Sequence, residues 1–298
     1  MINQKPSAEN SLIPPLSAPL SFKDREFQFT AADFERVRKL IYSHAGISLA
    51  STKMDMVYSR LVRRLRETDL KSFTDYLDLL ERNNKDELEK FVNSLTTNLT
   101  SFFRESHHFP ILAEYLRSLQ GVSQIKIWCS AASTGEEPYS LAITACEAFN
   151  GFSTPVSILA SDLDTNVLAF GSKGVYTQDR VSRLSPDRLS KFFTKGTGSQ
   201  EGTFVVRPEL RRMIEFKRIN LLEPNWPVPT NVHAIFCRNV MIYFDKPTQN
   251  KILARFATTL SKNGLLFIGH SESFTHTTDL FNSKGKTVYE LVSKSAKI

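Results

Sequence analysis

The chain carries only three cysteines, Cys129, Cys146 and Cys237, and no Cys-x-x-Cys pair. Each lies in an apolar run where a small buried side chain is the ordinary role, so neither a disulfide framework nor structural zinc is expected. Adjacent His107 and His108 lack a second ligand cluster at suitable spacing, and no metal is expected there either. No uninterrupted apolar run approaches the roughly 20 residues of a membrane helix, and the N-terminus lacks the apolar core of a signal peptide. The expectation is a cytoplasmic protein with no direct membrane insertion.

What is present suits a folded chain. A length of 298 residues and 41% hydrophobic content predict about two domains with ample cores. The net charge of +7 points to an acidic partner, which charge alone leaves open among nucleic acid, anionic lipid and protein.

The organising stretch is Ile125 to Glu147, IKIWCSAASTGEEPYSLAITACE. An apolar run breaks into small residues at Ser130 to Gly135, then resumes at helical spacing with Leu141, Ala142, Ala145 and Cys146. That spells strand, loop, helix. Ser133 or Thr134 can cap the helix, Pro138 suits its first turn, and Glu136 and Glu137 complement its dipole. Ligands bind at the carboxyl ends of such strands, and two acids at the helix entrance disfavour phosphate there. A ligand with a cationic group fits better.

Residues 1–28, with Pro6, Pro14, Pro15 and Pro19 among polar residues, read as a disordered leader. A helical domain spans residues 29–97, opened by Thr30 and Asp33 as a capping-box-like start. Its second helix, about 53 to 68, places Met54, Val57, Tyr58, Leu61 and Leu65 on one side and Arg60, Arg63, Arg64 and Arg66 on the other. The arginines are read as a binding face rather than a merely solvated one. Residues 98–298 form an α/β domain, Rossmann-like and doubly wound, with a small antiparallel β-subdomain inserted at about 178–212. Asp162 ends the second strand, where an acid can accept both ribose hydroxyls; Asp164 caps the following helix.

The runs TTNLTSFFRE, SAASTGEEPYS, SDLD, FCRNVMIYF and LLFIGHSESF, in this order, resemble the bacterial chemoreceptor glutamate methyltransferase family, CheR, over nearly the whole chain after Thr30. The resemblance implies an S-adenosylmethionine-dependent O-methyltransferase, with S-adenosylhomocysteine as product. It implies cofactor contacts for Asn98, Thr100, Arg104, Glu136, Asp162, Asn220, Leu221, Arg238 and Asn239, and substrate positioning for Tyr243. Arg104, Arg238 and Tyr243 are the residues expected closest to the chemistry, with one arginine holding the cofactor's carboxylate. Gly196, Gly198 and Gly202 match the subset of the family that binds a pentapeptide at the receptor's C-terminus, a tether that not every member uses. The partner expected is a chemoreceptor's cytoplasmic helices, engaged by a monomer and with no nucleic acid.

Three rival classes fit the sequence less well. A nucleic-acid methyltransferase shares the cofactor and the basic surface, but RNVMIYF stands where an Asn/Asp-Pro-Pro-Tyr/Phe loop is expected. A non-catalytic receptor adaptor conflicts with the intact Asn98, Arg104, Asp162, Arg238 and Tyr243. A hydrolase conflicts with GHSES, which lacks the closing glycine of a nucleophile elbow.

Overall fold

A computed structural model describes residues 25–82, 84–272 and 279–292. The expected leader therefore falls outside the described residues as far as residue 24. No helix among the described residues is long and apolar enough to cross a membrane.

The first unit is helical. Helix α1 (Ala31–Ala45) begins where Thr30 accepts the Asp33 amide and the Asp33 carboxylate accepts the Thr30 amide, and it stops at Gly46, whose φ is 67°. Helices α2 (Met54–Thr68), α3 (Phe73–Glu81) and α4 (Lys85–Leu95) complete it. Their apolar stripes meet in one core containing Val37, Ile41, Val57, Leu61, Phe73 and Phe91. Each such side chain contributes about 1.5–3 kcal/mol when removed from water.

The four-arginine face expected on α2 does not form as one exposed surface. Arg64 is buried, donating from Nε and Nη2 to Glu87 at 2.9 and 2.7 Å, while the Tyr76 hydroxyl donates to the same carboxylate at 2.9 Å. The reason is packing: α4 covers that flank and brings Glu87 with it. Arg60 is half-buried and donates to the Leu95 and Thr96 carbonyls at 2.9 and 2.7 Å, satisfying orphan acceptors at the end of α4. Only Arg63 and Arg66 are exposed, and they pair with Glu67 and Glu26.

Helix α5 (His108–Ser118), not anticipated from the sequence, leads into the sheet domain. Strand β1 (Ile125–Cys129), helix α6 (Glu136–Ala148), strand β2 (Val156–Asp162) and helix α7 (Thr165–Lys173) follow. Then come β3 (Val175–Thr177), α8 (Gln178–Val181), α9 (Pro186–Phe192), β4 (Phe193–Lys195), β5 (Thr203–Val206) and α10 (Pro208–Arg211). The chain closes with β6 (Ile214–Arg218), β7 (Val232–Cys237), α11 (Lys246–Thr259), β8 (Leu260–Ile268), β9 (Phe281–Gly285) and β10 (Val288–Leu291).

Among the described residues the main sheet has seven strands in the order β6-β2-β1-β7-β8-β10-β9, the first five parallel and the last two antiparallel. The chain runs outward from β1 to β6, then returns to lay β7 against the other side of β1. That reversal creates a crevice at the carboxyl ends of β1 and β7. Trp128, Ile235 and Phe256 pack on one face of the sheet; Ile127, Leu141 and Phe236 pack on the other.

The small sheet, ordered β3-β5-β4, is antiparallel as expected, but its first strand starts at Val175, ahead of the anticipated 178. Gly196 has no room for a side chain, since a Cβ would lie 2.1 Å from the Gln200 carbonyl oxygen. Turn geometry thus accounts for Gly196, and positive φ values of 58° and 79° account for Gly198 and Gly202.

Candidate active site

The crevice is roofed by the helical unit. Ser48 donates its amide to the Tyr243 carbonyl at 2.8 Å, Asn220 donates its side-chain amide to the His44 carbonyl at 2.7 Å, and Tyr42 donates its hydroxyl to Asp245 at 2.7 Å. Between roof and sheet lies a cleft of about 440 Å³, within the roughly 300–1,000 Å³ usual for cofactor sites.

Asn98, Thr100, Arg104, Asp162, Asn220, Leu221, Arg238, Asn239 and Tyr243 all line it. They come from four separate stretches of chain, which the sheet's return path brings to one edge. Glu136 does not line it. Its carboxylate is buried, accepting from Arg180 Nη1 at 2.6 Å and from the Thr134 hydroxyl at 2.7 Å. The neighbouring Glu137 faces the cleft instead, because one step along a helix turns a side chain by about 100°.

The turn before α6 is built differently from its expected caps. Gly135, with φ of 95°, is the N-cap and no side chain caps the helix. A Cβ there would meet the Tyr176 hydroxyl at 2.7 Å and the Gly171 Cα at 2.9 Å, so only glycine allows the turn to close. Ser133, with φ of 47°, aims its amide at Asp162 Oδ2 at 2.8 Å.

Asp162 is the focal acid. The amides of Ser133 and Asp164 stabilise its charge, yet burial outweighs them and pushes its carboxyl up to about 6. Asp164 caps α7 and holds Asn98 Nδ2 at 2.8 Å. Asn98 and Asn220 are therefore braces as much as hooks. Asn220 spends its NH2 on His44 and its oxygen on the Leu222 amide at 2.9 Å.

Arg238 lines the cleft as expected and is at the same time the centre of a buried ion cluster. Its Nη1 meets Glu137 at 2.5 Å and its Nη2 meets Glu105 at 3.2 Å and the Arg104 carbonyl at 2.6 Å. Two carboxylates therefore already share its charge, and its buried Nε has no hydrogen-bond partner among the described residues. Arg104 differs. It donates to the Leu99 carbonyl at 2.7 Å and has no carboxylate partner among the described residues; Lys53, also lining the cleft, has none either. The side chains of Leu99 and Ile242 stand 80% and 50% exposed on the lining, giving the mouth an apolar rim.

Sequence reasoning put Glu136 and Glu137 together at the helix entrance but gave the cofactor contact to Glu136, and it missed Glu105, Lys53 and Glu272. The doubled acid of GEEPYS was the one available signal for Glu137. Glu105 also brings a third ligand-type side chain to His107 and His108, within 4.8 Å of both. Its oxygens are committed to Arg238, the Asn239 side-chain amide and the His270 amide. His108 is buried, and burial and Arg238 hold its ring down to about 4; Nε2 bonds the Lys286 carbonyl at 2.9 Å.

A mostly parallel sheet with its cleft at the switch point, an acid closing β2 and a glycine turn before α6 define a Rossmann-like domain of the S-adenosylmethionine-dependent methyltransferase class. Residues 98–289 match the family model described as CheR methyltransferase, SAM binding domain, and residues 32–96 match CheR methyltransferase, all-alpha domain. The chain belongs to the CheR methyltransferase family. It is 50% identical over 277 residues to chemotaxis protein methyltransferase 2 of Pseudomonas aeruginosa, covering 92% of this chain and 99% of that protein. It is 48% identical to the chemotaxis protein methyltransferase of Salmonella typhimurium over 297 residues, covering 99% of this chain and 100% of that one. The Escherichia coli protein of the same name is 46% identical over 292 residues, 98% of this chain and 99% of the other.

Proposed function

We propose that this chain, a cytoplasmic enzyme, transfers a methyl group from S-adenosylmethionine to glutamate side chains of chemoreceptors, giving glutamate methyl esters. The observation that carries this assignment is the convergence of Asp162, Tyr243 and an Arg104 with no carboxylate partner among the described residues on one roofed cleft whose described lining contains no histidine. The bound nucleotide supplies a methyl group already activated on a sulfonium, and a glutamate with an ordinary pKa of about 4.3 is ionised at neutral pH without a base. The residues therefore hold rather than transfer protons. Asp162 accepts the ribose hydroxyls, Arg104 grips the nucleotide's carboxylate, and Glu137 contributes negative charge already balanced by Arg238. Tyr243 orients the incoming carboxylate, and the roof excludes water, so alignment supplies up to about 7–11 kcal/mol of the barrier reduction. Residues 29–97 act as the roof, 98–298 as the catalytic domain, and the edge of the small sheet as the docking strand for a receptor's C-terminal pentapeptide.

The test is transfer of labelled methyl to receptor membranes, with alkaline release of methanol as the mark of a carboxyl ester. Alkali-stable label would overturn it in favour of N-methylation.

On α2, Arg63 and Arg66 are the residues left to attract an acidic receptor helix; their pairs with Glu67 and Glu26 are exposed and weak. The double reversal Arg63→Glu with Arg66→Glu is expected to slow receptor methylation about tenfold at low salt, less as salt rises. Affinity for S-adenosylhomocysteine should stay within about twofold, since neither residue lines the cleft. Unchanged methylation would remove α2 from receptor binding.

A further inference from the structure

The segment Gly269 to Glu272, which opened the nucleophile-elbow comparison, does not line the cleft. Glu272 is nevertheless buried, and its carboxylate is surrounded by backbone amides. One oxygen accepts from Asn239 at 2.7 Å and Gly269 at 2.8 Å; the other accepts from Ile242 at 3.3 Å. No basic side chain among the described residues forms an ion pair with it. Its burial pushes its carboxyl up, opposed by amides that include Met241. This is an anion held in a nest of peptide dipoles.

A second observation points to the same contact. Asn239 has φ of 59°, a left-handed conformation that asparagine tolerates but that still needs holding. A Cβ on Gly269 would lie 2.5 Å from Glu272 Oε2, 2.7 Å from Asn239 Nδ2 and 2.9 Å from Asn239 N. Gly269 is thus required by the close approach of the two loops. Glu105 clamps the other side of Asn239, accepting from Nδ2 at 3.2 Å.

We infer that Glu272 is a positioning residue for methyl transfer: by gathering amides from Asn239 to Ile242 it fixes the turn that delivers Tyr243 to the cleft. This rests on the assignment of Tyr243 as the group that orients the acceptor. The side chain touches neither nucleotide nor acceptor; it acts through the backbone of the turn.

Glutamine at this position is a sharp test because it matches the shape and reverses half the polarity. Whichever way its amide turns, an NH2 faces backbone N–H groups where an oxygen stood. Glu272→Gln is expected to lower kcat on receptor membranes by about 10- to 100-fold, as a displacement of about 1 Å at the reacting group does. Calorimetry with S-adenosylhomocysteine should still show one site per chain. Tyr243→Phe should lower kcat by itself, and adding Glu272→Gln to it should cost less than about threefold more, because the two act through one element.

Multiplying effects in the double variant, or a Glu272→Gln kcat within twofold of the parent by the same cycle logic, would overturn the positioning role. A Tyr243→Phe variant with full kcat would instead sink the assignment of Tyr243, and the Glu272 role with it. If the glutamine variant fails to fold, Glu272→Asp keeps the charge and shortens the reach. It should bind the product nucleotide, lose kcat and show the same coupling to Tyr243→Phe; independent effects there would also overturn the inference.

Discussion

Arg238→Met is expected to lower the free energy of unfolding by about 3–5 kcal/mol at neutral pH, the cost of removing one partner from a buried ion cluster. Arg238 is 4% exposed and sits between Glu137 at 2.5 Å and Glu105 at 3.2 Å. Methionine fills the volume and leaves both carboxylates uncompensated. The sign with pH follows from Glu105, whose burial raises its pKa but whose contacts, Arg238 first among them, bring it below the ordinary value. In the parent its contribution is present above the ordinary glutamate pKa and lost as pH falls through the depressed folded value. In the variant burial is unopposed by Arg238, so the charged form is penalised at neutral pH and protonation relieves the penalty. The stability difference should therefore shrink as pH falls toward about 4, and Glu137→Gln in the same chain should recover part of it. Urea denaturation across that range measures it; a difference under about 1 kcal/mol, flat with pH, would contradict the buried-pair account.

For Asp162→Asn, affinity for S-adenosylhomocysteine is expected to fall about 100-fold, since a charge-assisted hydrogen bond is worth about 1.5–3 kcal/mol and the carboxylate is placed to make two. The amide keeps one acceptor and turns a donor toward the Ser133 or Asp164 amide, which already point at this side chain. The parent should also show a pH dependence. Binding of the ribose hydroxyls requires the ionised acid, whose pKa burial pushes up to about 6. Affinity should be level above about pH 7 and drop about tenfold per unit below 6, while the asparagine variant stays flat through that window. Calorimetric titrations from pH 5 to 8 test both parts. A parent as flat as the variant would detach Asp162 from the nucleotide.

Local features were legible because they depend on near neighbours in the chain. The Thr30 and Asp33 capping box, the stripe of Val57, Leu61 and Leu65, and the strand, loop and helix around Gly135 all follow from spacings of a few residues. Helix α5 was less visible because His107 provides no side-chain cap to mark its start. Strand β9 was hidden too, since it buries Phe281 and exposes the rest of Phe281–Gly285, leaving little apolar alternation to read.

The amino-acid order by itself determined most of the helix and strand segments, α5 and β9 excepted, the place of an acid at the end of β2, and the run of motifs that carries the family resemblance. Only the tertiary structure decided what each charge is for. Arg64 meets Glu87 across 23 residues and Arg238 meets Glu137 across 101. Periodicity says which way a side chain leaves its own helix, but the group waiting on the other side is set by how distant elements pack. That packing turned Arg64 from a surface charge into a core brace, gave Glu136 to Arg180, and left Arg104 in the cleft without a carboxylate partner among the described residues.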